Sequence, residues 1–91
     1  MKRHPTEVPV YRDRLELLAH HVHAMRYDRV IAFYTQSVVE LRDQAEGDRA
    51  RGRIQTAAAL EKAALKLEEF IEEMNKVWCI CKPHMKEEME G

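Results

Sequence analysis

Residues 57–81, AAALEKAALKLEEFIEEMNKVWCIC, decide the fold. Ala57, Leu60, Ala64, Leu67, Ile71, Met74, Trp78 and Cys81 recur at alternating steps of three and four. That is the seven-residue periodicity of helices that pack nearly parallel or antiparallel. Ala63, Phe70 and Val77 widen the stripe on one flank. Glu61, Lys62, Glu68, Glu69, Glu72, Glu73 and Lys76 are expected to solvate the opposite face, with Glu72 and Lys76 at the favourable i,i+4 spacing. No glycine or proline stands between Gly52 and Pro83, so the pattern predicts one helix from about residue 49 to residue 80, ended by Pro83.

Upstream, the stretch between Pro9 and Gly47 is equally free of glycine and proline. Its apolar residues form two series of helical spacing. The first runs through Leu15, Leu18, Val22 and Met25, and the second through Tyr27, Ile31, Tyr34, Val38, Leu41 and Ala45. They do not share a register, because Arg29 falls where the first would continue. A break near Arg26 to Asp28 is therefore expected, with Asp28 as N-cap of the second helix. Pro9 suits the first turn of the first helix, where its missing N–H costs nothing. Gly47 is expected to close the second helix and Asp48 to cap the third, making residues 47–52 the polar turn. Residues 1–9 read as a loose arm, 10–82 as the helical domain and 83–91 as a polar, acidic tail. The fold class is thus all-α: a small antiparallel bundle of three helices, or two long helices in a hairpin that dimerises.

Composition narrows the function. The chain has 91 residues, with 15 basic and 16 acidic, a net charge of −1 and a pI near 6.5. A general nucleic-acid binder would be clearly basic. No apolar run reaches the roughly 18–20 residues that cross a bilayer, and Met1-Lys2-Arg3-His4-Pro5 has no apolar stretch behind it to make a secretory signal. Two cysteines, two residues apart, give no disulfide framework. The expectation is a cytoplasmic protein, with peripheral membrane contact left open by Arg49, Arg51 and Arg53 at the start of the third helix. Those cations oppose the helix dipole and are expected to be solvated or held by an anionic partner.

Chemistry-bearing clusters are sparse. His20 and His23 share a helix face at i,i+3, a spacing that can chelate a metal, yet no Glu-x-x-His pattern accompanies them. Cys79, Cys81 and His84 make three soft or borderline ligands where zinc usually takes four. There is no glycine-rich phosphate loop, and Ser37, the only serine, falls by phase among Tyr34, Val38 and Leu41. No enzyme and no cofactor are expected.

The stretch Arg26-Tyr27-Asp28-Arg29-Val30-Ile31-Ala32-Phe33-Tyr34-Thr35-Gln36-Ser37-Val38-Val39-Glu40-Leu41 resembles the second helix of the MIT (microtubule-interacting and transport) domain. Tyr27, Ile31, Tyr34, Ser37, Val38 and Leu41 match that family's pattern, while Val30 replaces its usual alanine and Met25 stands near its usual glycine. Ala19 also fits the family's first helix. Lys62-Ala63-Ala64-Leu65-Lys66 is similar to part of its third, without the family's glutamate. The resemblance implies a three-helix docking module that captures a short amphipathic helix, such as an ESCRT-III tail, in trafficking or autophagy. On this chain the helix would meet Leu60, Ala64, Leu67, Ile71 and Met74, with Lys62, Lys66 and Lys76 on the rim, by anchors at i, i+3, i+4 and i+7. Two alternatives stay open: a structural homodimer that pairs the Leu60-to-Trp78 seam between chains, and a metal-binding protein using Cys79, Cys81 and His84.

Overall fold

The computed structural model describes residues 4–85 and contains three α-helices: α1 (Leu15–His23), α2 (Tyr27–Ala50) and α3 (Ile54–Cys81). A short 3₁₀ turn, Lys82–Met85, follows α3. The fold is a small all-α bundle of three helices, as the sequence pattern implies. Its backbone is the antiparallel α2–α3 hairpin, and α1 packs on α2 alone among the described residues.

The hairpin closes on small side chains. Ala45 of α2 and Ala64 of α3 are both 0% exposed, and Val38 and Ala57 are also buried. Alanine lets two helix backbones approach closely while costing nothing in helix propensity. The larger seam residues, Leu60, Leu67, Ile71, Met74 and Trp78, are only half-buried. Among the described residues no buried one is larger than valine, so the core is thin. The long axis reaches 51 Å, and the radius of gyration is 16.4 Å where a compact domain of this length has about 12 Å.

The break between the first two helices falls where the register shift demands. His23 ends α1, and Tyr27 begins α2. The N-cap of α2 is Arg26, without a side-chain cap, rather than Asp28. Asp28 stands in the first turn instead, where its carboxylate complements the helix dipole and accepts two hydrogen bonds from the Arg26 guanidinium, at 2.6 and 3.0 Å.

Three other boundaries differ from the sequence expectation. The first helix starts at Leu15, because residues 8–14 are tied into a turn by Val8 paired with Arg12. Val10 and Arg12 there take positive φ, of 79° and 46°, which a helix starting at Pro9 forbids. Gly47 does not end α2. The helix runs on to Ala50, and Gly52, with φ 79°, makes the left-handed turn. Arg53, not Asp48, is the N-cap of α3, so the turn is tighter than the 47–52 segment suggested. Asp48 serves the turn by charge, its carboxylate 3.8 Å from Arg51 and 3.6 Å from Arg53.

Candidate functional site

The α3 seam has two flanks, and they are built differently. In a heptad with Ala57, Ala64, Ile71 and Trp78 at a, the d positions are Leu60, Leu67, Met74 and Cys81. Position e, beside a, then holds Glu61 and Glu68, while position g, beside d, holds Ala63, Phe70 and Val77. Glu61 and Glu68 are therefore not on the solvated outer face where the sequence reading placed them. Both are half-buried, and both reach across to α2. The Arg42 guanidinium donates to both oxygens of Glu68, at 2.7 and 3.2 Å, and Arg49 donates to Glu61 at 3.4 Å. The two-pronged contact holds the Glu68 carboxyl below the ordinary carboxylate range. Arg49 also pairs with Glu46 on its own helix. Arginine and glutamate thus close this side of the hairpin.

The other flank is apolar and open. Phe70 is 39% exposed, Ala63 is exposed, and Val77, Leu67 and Met74 are half-buried. Tyr34 joins all three helices there. Its ring meets Phe70 of α3 edge-on, with centroids 5.0 Å apart, and its hydroxyl shares a 2.7 Å hydrogen bond with Nε2 of His23 on α1. Phe33 packs edge-on against the same ring, at 5.2 Å. Valines bury the junction: Val22 of α1 and Val30 of α2 are among the six buried residues, Val30 at 1% exposure. The α1 helix therefore covers the α2 side of this flank and leaves the α3 side bare.

Toward the hairpin tip lies an open depression of about 1010 Å³. His4 and Pro5 of the N-terminal arm border it, with Glu40, Gln44 and Arg51 from the α2 side and Thr56 and Leu60 from α3. The open flank beside Phe70 forms a trough, and Thr56 and Leu60 place the depression on the same side of α3.

The residues singled out from sequence separate in this geometry. Ala64 is wholly enclosed against α2 and offers nothing to a partner, whereas Leu60, Leu67, Ile71 and Met74 remain partly accessible. Lys66 borders the open flank, next to Phe70 in the heptad, and pairs with Glu69 at 3.5 Å. Lys62 and Lys76 stand at the outer position, opposite the seam, and Lys76 pairs with Glu73 at 3.1 Å. Phe70 is the accessible anchor that the seam-only reading passes over. Its signal was present in the sequence, in the way Ala63, Phe70 and Val77 widen the stripe on one side only.

Metal-ligand candidates do not converge. Among the described residues no three side chains of the His, Cys, Asp and Glu types are placed to share an ion, neither Cys79, Cys81 and His84 nor the three α1 histidines. His21 instead meets the Tyr11 hydroxyl at 3.2 Å, and His23 is bonded to Tyr34. Cys79 is exposed and Cys81 half-buried, both as free thiols. Ser37 is half-buried and donates to the Phe33 carbonyl at 3.1 Å within its own helix. No helix among the described residues is long and apolar enough to cross a membrane. No protein-family model, curated protein or solved structure matches the chain.

Proposed function

We propose that this chain is a non-catalytic interaction module that takes a short amphipathic helix into the trough beside Phe70, acting in the cytoplasm as an MIT-like adaptor. One observation carries the reading: α1 stops on α2, leaving an apolar face of α3 uncovered along its length. A three-helix bundle that buries both sides of α3 has no such vacancy. Half-buried Leu60, Leu67 and Met74, with Phe70 beside them, recur at the steps by which one helix reads another. The resemblance of residues 26–41 to the second MIT helix supports the trafficking or autophagy setting. Tyr34, one of its matching residues, is the side chain on which the trough is built.

The reading is tested with fluorescently labelled ESCRT-III-type tail peptides titrated by fluorescence anisotropy against chain held at nanomolar to low-micromolar concentration. Saturable micromolar binding is expected. Lys66→Glu, on the trough rim, should change the affinity severalfold, while Lys62→Glu on the outer face should leave it unaltered. Equal effects of the two charge reversals would place the peptide elsewhere, and absence of binding across the panel would remove the adaptor.

A further inference from the structure

We infer that the helix this trough accepts is α3 of a second copy, laid antiparallel across a two-fold axis at Phe70. The inference rests on the reading that the open flank is built for a helix, and it names the partner. Beside the seam used against α2, α3 carries a second series at steps of four and three: Ala59, Ala63, Lys66, Phe70, Glu73, Val77 and Ile80. All are exposed except half-buried Val77, and Ile80 is 71% exposed. A series of this periodicity is a second helix-packing face, and among the described residues no helix lies along it, the Tyr34 ring meeting it at Phe70.

The face is self-complementary. Ala63 and Val77 stand one heptad to either side of Phe70, and Ala59 and Ile80 close the two ends. The two charges in the series have opposite sign and straddle Phe70, with Lys66 before it and Glu73 after it. An antiparallel two-fold arrangement therefore lays Lys66 of each copy beside Glu73 of the other and stacks the two phenylalanines at the centre. A parallel arrangement would set lysine against lysine and glutamate against glutamate. Apolar ends and an aromatic centre, with Lys66 and Glu73 between them, give the layout of a central anchor flanked by charges. Each charge now holds only an exposed i,i+3 partner on its own helix, Glu69 for Lys66 and Lys76 for Glu73. Such pairs exchange readily for a better one. The opposite flank is barred to the same use, because the Arg42–Glu68 and Arg49–Glu61 pairs already fill it.

Sedimentation equilibrium of the full chain, from low-micromolar to several-hundred-micromolar concentration, is the test. A reversible dimer of twice 10.7 kDa is expected. Phe70→Glu should raise the dimer dissociation constant about thirty-fold or more, with helical circular dichroism retained. Lys66→Glu and Glu73→Lys should each weaken the dimer about tenfold, and the double reversal should restore it to near the wild-type constant. The restoration does not depend on how well Phe70→Glu folds. A monomer throughout the range overturns the inference, and so does a dimer that survives Phe70→Glu or a double reversal no better than the singles. Tail-peptide binding by a strictly monomeric chain would overturn it while leaving the adaptor reading intact. A dimer that binds no peptide would do the opposite.

Discussion

The two flanks of one hairpin part company within a single helical turn of the same seam. On one side Glu61 and Glu68 reach α2 and are met by Arg49 and Arg42. On the other, Phe70 meets the Tyr34 ring and remains 39% exposed, and Ala63 beside it is exposed. What differs is the cost of leaving each open. An arginine and a glutamate facing each other satisfy themselves at the surface with little gain in stability. An uncovered phenylalanine with its apolar neighbours keeps a standing drive to be covered. The ionic flank is self-sufficient, and the aromatic flank is where this molecule can gain by meeting another.

The largest expected effect comes from prying at the seam that both flanks share. Ala64→Leu places three extra carbons where the native side chain is 0% exposed and a second buried alanine, Ala45, lines the same thin core. Overpacking of this kind costs about 1–3 kcal/mol, and urea unfolding followed by circular dichroism reads it directly. Leu65→Ala, one residue on but 55% exposed, should change stability by less than about 0.5 kcal/mol. Equal losses from both would mean that the two helices do not meet on their alanines.

A smaller effect isolates the aromatic flank. Tyr34→Phe keeps the ring that meets Phe70 and deletes only the hydroxyl bonded to His23. The expected loss is about 0.5–1 kcal/mol, since the bond is partly solvated. It should appear unevenly: amide hydrogen exchange should speed up across Leu15–His23 and stay unchanged in Ile54–Cys81. Faster exchange in both segments would show that α1 and α3 unfold together, and the trough would then be no wall between independent parts.

How much of this was readable beforehand follows the same division. The course of α3 was legible because its period is unbroken and tertiary packing agrees with it at every seam position. The break before α2 was legible from the register shift at Arg29, which no single straight helix accommodates. Boundaries set by one residue were not. Gly47 and Gly52 are both able to adopt a left-handed φ, and only the closure of the hairpin decides that Gly52 does so while Gly47 stays helical. The start of α1 was hidden because Pro9 is compatible with a helix. The turn that wins draws on a Val8–Arg12 pairing that no local propensity announces. In the site, the period alone picks out Leu60, Leu67 and Met74 as partly accessible seam residues. Lys62 and Lys76 fall at the outer heptad position, and Lys66 falls beside Phe70. The ionic character of the Glu61 and Glu68 flank needed the partners on α2, which lie a whole helix away in sequence.

The smallest effect belongs to the ionic flank and concerns proton binding more than stability. Arg42 donates to both oxygens of Glu68, which lowers that carboxyl below its ordinary value of 4.5 and raises the arginine above its own. A carboxyl whose pKa is depressed by folding stabilises the fold above its unfolded pKa, and this is lost as pH falls through the folded value. The contribution of Glu68 is therefore present at neutral pH and disappears on acidification to below 4.5. Asp28 shows the same direction, from its bond to Arg26, but that pair spans two residues of one chain segment and joins no helices. Arg42→Met keeps most of the aliphatic length and removes both bonds. The carboxyl carbon shift of Glu68, followed by NMR titration, should then report a pKa restored toward 4.5. The stability difference between the two proteins should close as the solution is acidified, while dimer formation through Phe70 stays as it was. An unshifted Glu68 titration would mean that the pair does not persist in solution. The two flanks would then differ in composition only, with neither closed by its own chemistry.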